Sequence, residues 1–149
     1  MTPEKIKSYV EMLNWENPQE EQDEAICILS QIDERNFGLI LDKSKKSTWE
    51  NAVKVIKRIG FPQNESLLPG LLWLLQDVNW PGATEAIEIL AEIDKKTVVP
   101  LIEQAIHSAN LNEDFMWLGG LSLLVSKSGY LAEDFDDSCI FEILKKADF

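Results

Sequence analysis

The sequence predicts an all-α fold, an αα-superhelix of stacked antiparallel helical hairpins, and three observations predict it. A ten-residue phrase occurs twice: Glu24-Ala25-Ile26-Cys27-Ile28-Leu29-Ser30-Gln31-Ile32-Asp33 returns as Glu85-Ala86-Ile87-Glu88-Ile89-Leu90-Ala91-Glu92-Ile93-Asp94. Looser copies begin at Asn51-Ala52-Val53 and Gly119-Gly120-Leu121, and Ala52, Ala86 and Gly120 follow one another at intervals of 34 residues. Recurrence at that period marks helical hairpin repeats, here about four. The third observation is the punctuation between apolar stretches, where capping residues and prolines mark helix starts.

Those signals place the elements in order. Thr2 caps a first helix with Pro3 in its first turn, reaching about Leu13. Asn17-Pro18-Gln19-Glu20 repeats the grammar and opens a helix ending near Asp33, followed by a short helix over about 34–42. Ser47-Thr48-Trp49-Glu50 reads as a capping box for a helix that stops at Gly60, with Pro62 beyond. Ser66-Leu67-Leu68-Pro69 and Thr97-Val98-Val99-Pro100 each set a hydroxyl cap three residues before a proline, opening helices to about Gln76 and Ser108. Asn79-Trp80-Pro81-Gly82 starts a helix to about Asp94, and Asn112-Glu113-Asp114 starts the next. A last helix covers roughly 137–147. Within the repeated phrase, Ala86, Ile87, Leu90 and Ile93 form one wide apolar face. The small residue at Ala25, Ala52, Ala86 and Gly120 lets helix backbones approach closely where they cross.

Leu67-Leu68-Pro69-Gly70-Leu71-Leu72-Trp73-Leu74-Leu75-Gln76-Asp77, followed by Glu85-Ala86-Ile87 through Ile93-Asp94, resembles a HEAT-type repeat. That pattern has a proline early in one helix, a leucine-rich run ending in Asp, and an alanine-centred helix. The resemblance covers residues 14–128. The chain departs from it at Thr84 and Glu85, where the family usually carries a basic residue. The stretch from Leu72 through Asn79-Trp80-Pro81 to Ala83 also resembles small bacterial proteins of uncharacterised function, which implies a fold and no activity. Some HEAT-like proteins are DNA glycosylases with a basic groove, aromatics and a catalytic carboxylate. Here tryptophans and Asp77 are available, but the charge has the wrong sign.

The chain of 149 residues, 45% apolar, is expected to form a single domain over 1–149 with a sizeable core. No run of apolar residues suits a membrane span, and the start of the chain lacks the order of a secretory signal, so the expected location is cytoplasmic. Net charge is −12. Residues 1–34 hold nine acids against two bases, whereas residues 35–58 hold seven bases against two acids. The overall balance opposes nucleic-acid binding, because phosphate neutralisation requires a basic face.

No catalytic residue, cofactor or metal site is expected. His107 is the only histidine, with no second imidazole or close cysteine pair to complete a zinc site. Cys27 and Cys139 read as reduced thiols. Gly119-Gly120 lies inside a helical run, unlike a phosphate loop. The acidic groups Glu20 to Glu24 and Glu133 to Asp137 suit helix starts and lack the spacing of a calcium loop.

Five tryptophans are a high count for this length. Trp49 and Trp117 each stand three residues before the small residue of their repeat, which suits structural packing. Trp15 and Trp80 both follow an Asn and precede a proline-led helix. Such an indole is either a wedge in the turn or a binding anchor; the wedge suits Trp80, and the anchor suits Trp15 in the terminal repeat. Trp73, among leucines, fits either role. Trp15, Trp80, Trp73, Asp77 and Asn79 are therefore the candidate binding residues. The expected function is a non-enzymatic protein-interaction module, with a protein partner that the charge allows to be basic. An acidic immunity-type inhibitor of a basic toxin or nuclease is the sharper version. A carboxylate- and metal-dependent enzyme is the contrasting class.

Overall fold

The computed structural model describes residues 1–148, and among them every regular element is helical. Eight α-helices follow in chain order: α1 (Pro3–Met12), α2 (Gln19–Leu29), α3 (Trp49–Ile59), α4 (Leu68–Leu74), α5 (Ala83–Ala91), α6 (Lys95–Leu111), α7 (Phe115–Ser128) and α8 (Ile140–Leu144). Short 3₁₀ turns at Glu34–Leu39, Lys46–Thr48, Glu65–Leu67 and Ala132–Asp134 join them. The chain forms two compact units: residues 1–70 with Trp80–Gly82, and residues 71–79 with those from Ala83 onward.

In the first unit α1 packs on α2, and α2 on α3. Thr2 Oγ1 accepts a hydrogen bond from the Lys5 N–H, and Pro3 occupies the first turn of α1. Ile6 and Val10 are buried along that helix and Leu13 just past its end, with Ala25, Leu29, Ala52, Val55 and Ile56 on the next two. Ala25 and Ala52 have no exposed surface.

Several boundaries differ from the sequence expectation, each for a local reason. Asn17 does not cap α2; its side-chain amide instead donates to the Glu11 carbonyl at the end of α1, 3.0 Å away. Helix α2 stops at Leu29 rather than near Asp33, because Asp33 caps the next element by accepting from the Arg35 N–H at 3.0 Å. The segment expected as a short helix over 34–42 is the 3₁₀ turn Glu34–Leu39. Thr48 is buried and its hydroxyl donates to the Lys45 carbonyl at 2.7 Å, so the Lys46–Thr48 turn runs into α3 without a side-chain cap. Gly60, at φ +80°, ends α3 in a backbone conformation that favours glycine. Gly82 has a second reason to be glycine: at φ +87°, an added Cβ would lie 2.8 Å from Val53 Cγ2 and 3.2 Å from the Trp49 carbonyl oxygen.

In the second unit α6 packs on α7 and α8, and α7 also on α5. Leu71, Leu74 and Leu75 are buried with Ala86, Leu90, Ile102, Ile106, Leu121 and Leu124. Asp94, not Thr97, caps α6; its Oδ2 accepts from both the Thr97 N–H (3.1 Å) and the Thr97 hydroxyl (3.0 Å), which leaves Pro100 inside the helix. Asp114 caps α7 by accepting from the Trp117 N–H at 3.1 Å. Gly120 makes the tightest approach, since a Cβ there would overlap the main-chain carbonyl of Leu75. The last helix is shorter than the expected 137–147, because Asp137 accepts from the Cys139 N–H (2.8 Å) in a turn that precedes it.

Candidate functional site

Trp15 lies in the turn between α1 and α2 and keeps 47% of its surface exposed. The turn beneath it is tied down by buried amides. Asn51, 5% exposed on α3, donates to the Leu13 carbonyl (2.7 Å) and to Gln22 Oε1 (2.9 Å). The Gln22 amide in turn donates to the carbonyls of Trp15 (3.2 Å) and Asn17 (2.7 Å). On the other side the Trp15 N–H donates to the Ser47 carbonyl at 3.3 Å, and Asn14 Oδ1 accepts from the Glu16 N–H at 2.8 Å. A large aromatic surface is thus presented on a fixed backbone.

Trp80 is in a different condition. Half-buried, its ring meets that of Trp49 edge-on, with centroids 5.2 Å apart and planes at 63°. Lys46 Nζ stands 5.7 Å from the Trp80 centroid and 5.9 Å from that of Trp49. Trp49 is buried, and its indole N–H donates to the Asp42 carbonyl at 2.7 Å. The turns bearing Trp15 and Trp80 therefore both adjoin the Lys46–Thr48 segment, one through Ser47 and the other through Lys46.

Trp73, Asp77 and Asn79 belong to the second unit. Trp73 is half-buried on α4. Asp77 Oδ1 accepts from the Asn79 N–H at 2.8 Å, so the aspartate rather than the asparagine closes this turn. Asp77, Asn79, Met116 and Asp148 line a cleft of about 100 Å³. Trp117, the counterpart of Trp49, donates its indole N–H to the Leu72 carbonyl at 3.0 Å.

Sequence reasoning missed Lys46, Gln22 and Asn51. For Asn51 a signal existed: it stands beside the small residue of its repeat where the two clearest copies carry Glu24 and Glu85. Also missed were Leu111, Phe115 and Met116, exposed by 84%, 38% and 52%.

The titratable groups serve local structure. Glu103 accepts from the main-chain N–H groups of Asp136 (2.8 Å) and Asp137 (3.0 Å), and His107 Nε2 lies 3.3 Å from Asp137 Oδ2. The Leu131 N–H, and then the Lys95 ammonium at 3.0 Å, hold the Asp134 carboxyl below its usual range. The Ser44 hydroxyl does the same for Asp42. A groove of about 460 Å³ beside α1 is bordered by Lys7, Lys43 and Lys45, the last paired with Glu11 at 3.1 Å. Among the described residues no cluster of His, Cys, Asp and Glu suits a metal ion, and no helix is long and apolar enough to cross a membrane. Comparison with known proteins finds no match: no family model, no curated protein and no solved structure matches the chain.

Proposed function

We propose that this chain is a non-enzymatic protein-interaction module, built as one HEAT-like array of helical hairpins, and that Trp15 anchors its partner. The observation that carries the reading is the contrast between Trp15 and the other two tryptophans of its unit. Trp49 and Trp80 direct their rings at each other, while Trp15 is 47% exposed above a turn pinned by Gln22 and Asn51. Tryptophan on a rigid support is a favoured binding anchor, because little side-chain freedom remains to be lost on association. The repeat reading is supported by the recurring phrase and by the fully buried small residues Ala25, Ala52 and Ala86.

The acidic version, an inhibitor that blocks a basic partner such as a nuclease, is favoured by the run Glu16, Glu20, Glu21, Asp23 and Glu24 beside Trp15 and by the net charge of −12. Opposite fields would speed encounter and make association fall with salt.

The test is affinity capture from native lysate with the wild-type chain and with Trp15→Ala. A partner retained by the wild type and lost by a folded Trp15→Ala chain supports the reading. Equal retention by both refutes Trp15 as the anchor. A captured partner that is basic and released by moderate salt supports the inhibitor version.

A further inference from the structure

We propose that the turn between α6 and α7 is a second docking surface, which takes a basic amphipathic segment of a partner protein and seats a Lys or Arg side chain in the cleft beside Met116. This goes beyond the Trp15 reading and uses different residues. Three large apolar side chains stand exposed within six positions: Leu111 at 84%, Phe115 at 38% and Met116 at 52%. Apolar residues are ordinarily scattered singly over a surface, and a group of them marks contact with something else. The backbone under the group is firm. The Asp114 N–H donates to the Ala109 carbonyl at 2.8 Å, and the Asp148 N–H donates to the Phe115 carbonyl at 3.0 Å.

The surroundings select the partner's charge. Glu113 lies in the turn itself, and the cleft next to Met116 holds Asp77 and Asp148. Among the described residues no ion pair engages either aspartate; Lys146, two residues past the end of α8, is held by Asn110 Oδ1 at 3.0 Å. At about 100 Å³ the cleft is too small for a typical small-molecule ligand, for which ~300 Å³ is a lower bound, and suits the end of one side chain. Exposed apolar side chains close in sequence, beside carboxylates that no ion pair engages, match a helix with leucine-like residues on one side and a cation at the edge.

The experiment uses the full chain and two fluorescein-labelled synthetic helices, one of leucine and lysine, the other of leucine and glutamate, followed by anisotropy. The expected result is binding of the lysine peptide and none of the glutamate peptide. Asp77→Asn with Asp148→Asn should weaken that binding about tenfold or more, as should Leu111→Ser with Met116→Ser. Asn at position 77 can still accept from the Asn79 N–H, so the turn is kept. A control pair on exposed positions of α5, Glu85→Gln with Glu88→Gln, removes the same charge and should leave binding within about twofold. An equal loss in the control pair would mean general attraction to an acidic protein and would overturn the proposal. So would failure to bind the lysine peptide, or equal binding of both peptides. Sedimentation of the wild type as a dimer that Leu111→Ser with Met116→Ser makes monomeric would assign the face to self-association instead. Trp15→Ala is expected to leave peptide binding unchanged; if it alone abolishes binding, the Trp15 reading stands and this surface falls.

Discussion

Asn51 and Gln22 share a buried hydrogen bond of 2.9 Å, and through it a residue on α3 governs the turn that carries Trp15. The two amides satisfy one another and three main-chain carbonyls, those of Leu13, Trp15 and Asn17. Removing either partner strands acceptors away from water. Asn51→Ala should destabilise the protein by about 1–3 kcal/mol, measured by urea denaturation. It should also make Trp15 more accessible to acrylamide, since the turn loses its tie. A denaturation midpoint equal to wild type would show the network to be dispensable.

Gly120 and Ala86 test the close crossings directly. An added methyl at Gly120 meets the Leu75 main chain, which cannot swing aside as a side-chain tip can. Gly120→Ala should therefore cost on the order of 3 kcal/mol despite the better helix propensity of alanine. Ala86→Leu, at a position with no exposed surface, should cost about 1–3 kcal/mol by overpacking. A Gly120→Ala chain at least as stable as wild type by calorimetry would contradict the observed approach.

Trp15 and Trp80 should respond oppositely to truncation. Trp80→Ala removes the ring that meets Trp49 and Lys46 and should lower stability by about 2 kcal/mol or more. Trp15→Ala should stay within about 1 kcal/mol of wild type. Quenching by acrylamide of Trp15→Phe and Trp80→Phe checks this from the other side. Loss of Trp15 should remove more of the accessible fluorescence than loss of Trp80, and the reverse order would remove the basis for Trp15 as an anchor.

Acid should loosen the loop before α8. The Asp134 carboxyl is held below the ordinary aspartate value of 3.8, first by the Leu131 N–H and then by Lys95. A carboxyl lowered in the folded state stabilises fully above its unfolded value. That contribution is lost as pH falls below 3.8 and through the lower folded value. Asp134→Asn should thus lower Tm at neutral pH and shrink the fall of Tm below that pH. Asp42, shifted the same way by Ser44, keeps part of the acid sensitivity in that variant. A Tm profile identical to wild type across the acid range would show that Asp134 contributes nothing.

The sequence made some features legible and hid others for identifiable reasons. The buried small residues follow from the repeat itself, because Ala25, Ala52, Ala86 and Gly120 occupy equivalent places in one phrase. Caps formed by the nearest polar side chain, Thr2 and Asp114, also follow from local order. Asn17 and Thr97 misled because each has a different partner a few residues away: Glu11 and Asp94. The support of Trp15 was hidden more deeply. Gln22 and Asn51 are separated by 29 positions, and no periodicity records which buried amides will meet. Lys46 was legible as a charge in a basic stretch, but not as the cation over two indoles.

The contact between Trp49 and Trp80 has an optical consequence. Two indoles with centroids 5.2 Å apart and planes at 63° form a rigid, chiral chromophore pair whose electronic transitions couple. The near-ultraviolet circular dichroism of the protein should carry a paired band of opposite signs that vanishes in either Trp49→Phe or Trp80→Phe. Far-ultraviolet dichroism reports helix content, whereas this band reports whether residue 80 has docked on residue 49. The chain thereby contains its own spectroscopic gauge of side-chain packing around Lys46, readable in solution without any label.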